Sequence, residues 1–508
     1  MSKELKTTKS QKEENRERRA IKLQTPNSKL QTEVVTFCSL LVLKFSIIFI
    51  VSLSLSCAIN PVTGQKEFML VSEEQEFALG SEEVPNLNWA YGGKYRDAEL
   101  ESYLTNFAKR IWDVSERPNI PLKFTVQNTS LPNAFAIPGY IAITRGLLVE
   151  LQNEAQFVSV MGHEAGHVMA RHTAKRLSLS QVQSAGILTG SIFLQGQKGG
   201  DALLTLGALG SSLMLLKYDR NQELQADGLG VKYMARLGYD PREALNAHRQ
   251  LDIAIDEFMK RLGKERQEET FLDEILSTHP RSEIRKEEIE EMIRGLPPYI
   301  IVGDGKGTEI FNSSLKGIRE VNKGYIFYDE AIRAFKKNKI DETKEKLNRA
   351  MELNNRQAPF FSLGGNIKVK EKKYSEAEEM FNRALAIDSE YQPSLYGLGM
   401  VYFLREDFGK AIQYMGMSLE LFPEHYGSHF ILGRSYMGEK RFRDALKHLT
   451  IVAEAIPKHP EVHGYLGICY ENVNDLRAAY REYSLQVKIA PNNEIGRYSQ
   501  ERLSMRRF

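Results

Sequence analysis

Residues 153–177 read NEAQFVSVMGHEAGHVMARHTAKRL and contain no proline. Asn153 is a good helix cap, and Gln156 three positions on completes a capping box, so the stretch is expected to begin a helix there. On a helix, His163 and His167 stand at i and i+4, one above the other on one face. Two imidazoles at that spacing can share one zinc ion, and Glu164 beside the first can take a proton from a water at the metal. A chance HExxH in a chain of this length has odds of about one in a hundred. The flanking Val158, Val160, Met161, Val168 and Met169 are apolar. The helix is therefore expected to be buried, and buried polar groups need partners.

A catalytic zinc ion needs a third protein ligand and an open fourth position. A third histidine at the metzincin spacing is excluded, because positions 170 and 173 hold Ala170 and Thr173. His172 is off that register and is read as structural. Residues 218–227, YDRNQELQAD, supply a better ligand: Glu223 and Asp227 are again i and i+4. One carboxylate can bind the metal, and the other can accept the spare N–H of a ligand imidazole. Between the two motifs lie two apolar runs, 184–195 and 202–216, each short for a membrane span. They read as small helices over the site or as a gate that touches a membrane.

Upstream, Ile137-Pro138-Gly139 is a turn and Tyr140 to Thr144 a β-rich run. Proline beside a strand suggests an edge strand, to which an extended peptide could add; a plain core hairpin is the competing reading.

Downstream the pattern changes. Leu-Gly recurs at Leu363-Gly364, Leu398-Gly399, Leu432-Gly433 and Leu466-Gly467, while Ala377, Ala411, Ala445 and Ala479 keep a uniform step, as do Pro423, Pro457 and Pro491. A 34-residue period with small residues at helix contacts and proline at the repeat end is the tetratricopeptide (TPR) signature. Four repeats are clear, and a degenerate one precedes them from Tyr325 to Gln357, with Thr343 where alanine is expected. Such arrays present an inner surface to peptides or proteins.

The chain has 508 residues, 42% hydrophobic and 26% charged, with a formal net charge of +2. That balance suits two or three globular domains and argues against a nucleic-acid binder. Cys38, Cys57 and Cys469 cannot form a disulfide framework or a thiolate metal site. Residues 1–33 are polar and read as disordered. Lys44, the apolar run FSIIFIVSLSLS and Cys57 describe a lipoprotein-type signal, with Cys57 as the lipidated residue; an uncleaved anchor is the alternative. Translation starting near Leu41 or Val42 would account for the long polar lead, and a precursor beginning at Met1 would refute that. Ala58 to Gln65 reads as a tether. The expected organisation is an N-terminal extension and signal over 1–57, a metallopeptidase domain over 58–295, a linker over 296–323 marked by Pro297-Pro298 and several glycines, and TPR repeats over 324–508.

Taken together, Asn60 to Gly64, Asn133 to Tyr140, the HEAGH core with Arg171-His172, Glu223 to Asp227 and Thr278-His279-Pro280 resemble the gluzincin metallopeptidases that include the CAAX prenyl protease and HtpX. The similarity is greatest to the soluble periplasmic, TPR-tailed members of the BepA type. The resemblance implies a mostly α chain: an α+β peptidase domain with a small edge-stranded sheet, then an all-α TPR superhelix. It implies one Zn2+ on His163, His167 and Glu223, Glu164 as catalytic base, and His279 near the metal, as an oxyanion stabiliser or an inhibitory ligand. It also implies a substrate strand using Asn133, Ala134, Phe135, Pro138, Gly139 and Tyr140. The expected function is a membrane-tethered periplasmic endopeptidase, at the outer membrane, that degrades misfolded or stalled outer-membrane proteins, with a protein partner such as the assembly machinery on the repeats. The rival is a chaperone or scaffold with a latent peptidase; an intramembrane prenyl-protein protease is disfavoured because no further spans are evident.

Overall fold

A computed structural model describes residues 57–179, 218–262 and 283–505. His279, both apolar runs between the ligand motifs and the segment before Cys57 lie outside these residues. No helix among the described residues is long and apolar enough to cross a membrane. The chain divides into two units, Met1–Ile59 with Lys66–Leu70, and Asn60–Gln65 with Val71–Phe508. In the first, β1 (Cys57–Ile59) pairs antiparallel with β2 (Lys66–Phe68). In the second, Asn60 folds its segment into a turn, its side-chain oxygen accepting from Val62 and Thr63 N–H at 2.9 and 3.3 Å. The expected tether is thus hydrogen-bonded structure, because an Asn before Pro can satisfy the turn itself.

The larger unit opens with α1 (Glu73–Ala90), capped by a Ser72/Gln75 box, and α2 (Ala98–Asp113), capped by Asp97. A three-stranded sheet follows: β3 (Lys123–Gln127), β4 (Ala134–Ile137) and β5 (Tyr140–Thr144), in the order β3-β5-β4. β5 is parallel to β3 and antiparallel to β4. The run Tyr140–Thr144, expected at an edge, is therefore the central strand. The turn at Pro138-Gly139 folds β4 outward, and β4 takes the edge.

After α3 (Arg145–Leu148) comes α4 (Glu154–Met169), which carries HEAGH. Asn153 caps it, accepting from Gln156 N–H at 2.9 Å. Gln156 does not close the expected box on Asn153. Its oxygen accepts from Gln152 N–H, and its amide donates to Glu243, each at 2.9 Å. Glu243 opens α6 (Glu243–Leu262), so the bond ties that helix to the start of α4. Most of α4 is buried, with Phe157, Val158 and Met161 in the main core beside Leu104, Leu147 and Leu151. α5 (Arg220–Arg236), capped by an Asp219/Gln222 box, crosses α4, and α7 (Glu283–Arg294) packs on α5.

The expected linker is a correction. From residue 308 the chain is helical, as α8 (Thr308–Ser314) and α9 (Lys316–Lys336). Phe311, Leu315 and Ile318 are fully buried in the same core as Phe157. Their i, i+4, i+7 spacing is a helical stripe, and the prolines and glycines mark only the stretch before it.

The repeats are helix pairs: α9 with α10 (Ile340–Leu353), α11 (Ala358–Lys370) with α12 (Tyr374–Ile387), α13 (Gln392–Leu404) with α14 (Phe408–Leu421), α15 (Tyr426–Gly438) with α16 (Phe442–Ala455), and α17 (Val462–Asn472) with α18 (Leu476–Ile489). α19 (Glu494–Ser504) follows. In the degenerate repeat Thr343 is fully buried and its hydroxyl donates to Lys339 O at 2.8 Å, so the extra polar atom is satisfied. The first pair docks on the peptidase region through Arg145. This fully buried guanidinium lies 3.7 Å over the Tyr325 ring and donates to Asn128, Ser130 and Asn322 side chains. Arg96 adds ion pairs to Asp388 and Glu390, and the Trp89 and Tyr391 rings meet edge-on at 5.8 Å.

Candidate metal centre

The crossing of α4 and α5 builds the site. A Cβ on Gly166 would lie 3.0 Å from Ala226 Cα, and one on Gly162 would lie 3.1 Å from Gly230 Cα. Only residues this small let two helix backbones approach so closely, and the approach brings α5 carboxylates to α4 imidazoles. His163 Nε2 and His167 Nε2 are 3.1 Å apart. Glu223 oxygens lie 3.7 Å from the first and 3.5 Å from the second. These three residues are the metal-ligand cluster found among the described residues.

The donor set fits a metal ion. Bonds of 2.0–2.1 Å to a tetrahedral zinc place neighbouring ligand atoms about 3.4 Å apart, which the three separations bracket. The hydrogen bonds behind the ring nitrogens point the same way. His163 Nδ1 donates to Asp227 at 2.7 Å. His172 Nε2 donates to the Gln225 side-chain oxygen Oε1 at 2.9 Å, which leaves His172 Nδ1 to accept from His167 Nδ1, also at 2.9 Å. Both Nε2 atoms therefore present lone pairs to each other and to a carboxylate, an arrangement that a cation stabilises. Among the described residues, these three ligands would fill three of the four positions of a tetrahedral ion.

The supporting residues are buried. Arg285 of α7 donates to both Asp227 oxygens at 2.9 and 2.7 Å and pairs with Glu223 at 2.8 Å. Burial alone would raise the Asp227 pKa; His163, His248 and Arg285 hold it well below the usual carboxylate range. The Tyr218 ring stacks on His167 at 3.8 Å between centroids. Burial, then the Glu164 and Glu223 charges, push the Tyr218 hydroxyl above the usual tyrosine range. Glu164 is 4% exposed. Arg171 ends α4 with φ 56°, a left-handed conformation that turns the chain so that His172 meets His167. Its guanidinium is held by Glu76 at 2.9 Å and Val71 O at 3.0 Å.

The structure thus brings His163, Glu164, His167, Glu223 and Asp227 together, while His279 is not among the described residues. His172 contributes through His167. Arg285 and Tyr218 were not singled out from the sequence; Arg285 lies far along the chain from Asp227, and no local spacing marks it. Among the residues expected to hold substrate, Ala134 and Phe135 lie on β4, which packs against α4 and, among the described residues, pairs with β5 alone. Asn133 donates to the Tyr91 hydroxyl at 3.0 Å. Pro138 and Gly139 form a turn under α1, against Gly80 and Phe77. Tyr140 is 1% exposed and hydrogen-bonds the Gln127 carboxamide at 2.6 Å, so it belongs to the core.

Residues 95–293 match the profile of peptidase family M48, and residues 370–451 match that of anaphase-promoting complex, cyclosome, subunit 3. The chain is 27% identical to mitochondrial metalloendopeptidase OMA1 of Schizosaccharomyces pombe, over 46% of this chain and 65% of that protein. It is 25% identical to beta-barrel assembly-enhancing protease of Escherichia coli, over 56% of this chain and 61% of that one. Against the putative beta-barrel assembly-enhancing protease of Vibrio cholerae the figures are 29%, 40% and 41%. The matches span less than two thirds of each of these relatives. Among solved structures, YrrB, a TPR protein with an unusual peptide-binding site, is similar over 38% of this chain and 98% of its own, at 22% identity and TM-score 0.30. The match to the profile of peptidase family M48 covers the span that carries HEAGH, Glu223 and Arg285.

Proposed function

We propose that the chain is a zinc metalloendopeptidase, and the observation that carries this reading is the convergence of His163, His167 and Glu223 beside Glu164. His163 Nε2, His167 Nε2 and one Glu223 oxygen hold the metal. Bound zinc supplies a Lewis acid that polarises a peptide carbonyl and acidifies a water molecule. The Glu164 carboxylate takes the water's proton and delivers it to the leaving amine. Asp227 fixes the His163 tautomer, His172 that of His167, and Arg285 holds both α5 carboxylates in place. The outer edge of β4, through Ala134 and Phe135, accepts an extended substrate by strand addition, and the repeats hold a protein substrate or partner.

The setting is the periplasm, with the chain tethered through lipidated Cys57 to the outer membrane. The substrates are misfolded or stalled outer-membrane proteins, and the partner belongs to their assembly machinery. Support comes from the apolar run ending at Cys57 and from relatives named as beta-barrel assembly-enhancing proteases. The test is metal analysis with casein hydrolysis on wild type, Glu164→Gln and Glu223→Ala. Wild type is expected to hold about one zinc per chain. Glu164→Gln should keep the metal and lose hydrolysis by about 10²–10⁴-fold, and Glu223→Ala should lose both. A folded wild type without metal, or a Glu164→Gln protein that still cleaves, would sink the peptidase reading. Full activity of Glu164→Gln in cells would instead favour the scaffold reading.

A further inference from the structure

Five of the chain's ten histidines lie between His425 and His463, in two successive repeats. Two of them meet across α15 and α16. His429 Nδ1 and His448 Nδ1 are 3.0 Å apart, and His429 Nε2 donates to Pro423 O at 2.9 Å. The next repeat builds a related pair 34 residues on. There His463 Nε2 donates to Pro457 O at 3.0 Å, but His463 Nδ1 faces the Glu482 carboxylate, at 2.7 Å, instead of a second imidazole. The preceding repeat has Leu395 and Tyr414 at these two places. The array therefore packs without histidine there, and a pair of imidazoles withdrawn from water costs desolvation that Leu and Tyr avoid. His429 is 8% exposed and His448 is half-buried, so solvent reaches the pair through His448.

At His463 both ring nitrogens donate, so the ring is an imidazolium whose charge Glu482 balances. His429 has no such counter-charge, because position 448 is histidine. Two N–H groups cannot face each other at 3.0 Å, so one of the facing Nδ1 atoms carries a lone pair. The bond to Pro423 O takes the proton of neutral His429, which leaves the lone pair on His429 Nδ1. If His448 then carries its proton on Nε2, both Nδ1 atoms present lone pairs, with no net release of protons. His163 and His167 stand in the same relation, with facing nitrogens 3.1 Å apart, and a ligand imidazole commonly donates its other N–H to a backbone carbonyl, as His429 does. We propose that His429 and His448 bind a second divalent metal ion, of the zinc class, which clips α15 to α16 where the next repeat uses the His463–Glu482 ion pair. Imidazole nitrogen suits such an ion. The two rings would fill two of the four positions of a tetrahedral ion and water the others, so it is held more weakly than an ion on His163, His167 and Glu223. Arg441 and Lys447, at the start of α16, both pair with Asp444, so their charge is opposed. The site does not depend on the peptidase reading.

The test is equilibrium dialysis of the untagged full chain against ZnCl2, with bound metal counted in wild type, Glu223→Ala, His448→Gln and the double variant. Glutamine at 448 can still donate to His429 Nδ1, so it keeps a hydrogen bond and removes the metal ligand. Wild type should hold about two zinc ions per chain, each single variant about one, and the double variant almost none. His429→Gln, on the other helix, should match His448→Gln, and His463→Gln should keep the wild-type content. Zinc should also raise the urea midpoint of Glu223→Ala and leave that of the double variant unmoved. Unchanged helix content by circular dichroism shows that the variants are folded, and His429→Gln decides the matter if His448→Gln is not. A single zinc ion that Glu223→Ala removes and His448→Gln keeps would overturn this site and leave the peptidase standing. A single zinc ion that only His448→Gln and His429→Gln remove would do the reverse. No zinc in wild type would overturn both, and an equal loss in His463→Gln would overturn the assignment to this pair.

Discussion

At Gly166 in the metal centre an added Cβ would lie 3.0 Å from the Ala226 backbone; at Gly467 in the repeats it would lie 2.5 Å from the Tyr483 ring. Both glycines allow two helices to pack closely, but the closeness serves different ends. In the repeats the partner is a side chain, and the same contact recurs at Gly433 with Leu449 and Gly399 with Met415. The array divides its packing among many similar contacts, each of which contributes a little. At the metal centre the partner is backbone, and the crossing occurs once. What it sets is the distance between the α4 imidazoles and the α5 carboxylates, so an error there is paid by chemistry rather than by packing.

The sharpest way to break that contrast is Arg285→Ala. It removes the donor shared by Glu223 and Asp227 and leaves two buried carboxylates with fewer partners. Loss of one partner of a buried ion pair costs about 3–5 kcal/mol, and loss of such a supporting residue weakens metal affinity about 10–100-fold. Urea unfolding of the metal-free protein and zinc competition with a chelator read the two effects separately. An affinity within twofold of wild type would mean that the carboxylates are held by α5 alone.

The two glycines come next. Gly467→Ala should destabilise the array by about 1–3 kcal/mol, since Tyr483 is fully buried and cannot swing away, and should leave zinc affinity unchanged. Gly166→Ala pushes the helices apart by tenths of an ångström, and its expected signature is weaker zinc binding with a smaller loss of stability. If both substitutions lowered stability alone, the crossing would be mere packing.

The same division decides what could be read from the chain. His163 and His167, and likewise Glu223 and Asp227, are pairs within one helical turn, so local spacing exposes them. The period of the repeats is legible because each copy restates it. Even there a detail slipped: the contact made by Gly399 and Gly433 is made in the preceding repeat by Gly365, against Phe381, and not by the Gly364 of the Leu-Gly pair. The extra residue in that first interval is therefore a shift of the dipeptide and not an insertion. Tertiary partnerships left no such mark. Arg285 meets Asp227 from 58 residues further along the chain, Tyr140 became central because β4 folds outward, and α8 was hidden by the prolines and glycines that precede it.

A smaller effect joins the two regions. Burial, and then the Glu424 charge, push the Glu83 pKa up to about 7. Unfolded glutamate titrates near 4.3. The folded chain therefore binds more protons between those values, so this group's contribution to stability falls as pH rises through that window and is fully lost above about 7. Glu83→Gln should flatten that part of the stability profile and raise stability at pH 8 by about 1 kcal/mol. Urea midpoints from pH 4.5 to 8 check this, and a parallel profile for the variant would show that α1 meets the array without a cost in charge.

The smallest effect tests strained backbone in both places. Asn338, Lys372, Glu406, Lys440 and Asn474 all have φ near +60° and recur every 34 residues, each just past a first helix. The residue after each donates to a carbonyl five positions back, as Arg441 N–H does to Tyr436 O at 2.8 Å, which is the Schellman ending of a helix. Lysine and glutamate are strained there, whereas asparagine tolerates the conformation. Lys440→Asn should therefore stabilise the chain by about 0.5 kcal/mol, adopting what two of the repeats already use. Arg171 has the same φ but is tied to Glu76 and Val71 at the end of the HEAGH helix. Arg171→Asn relieves similar backbone strain and loses those buried bonds, worth about 1.5–3 kcal/mol each where one partner is charged. It should destabilise the chain and weaken zinc binding through His172. Opposite signs for one type of substitution at one type of backbone angle would show that strain in the array is incidental and strain at the centre holds the site in place; matching signs would refute that.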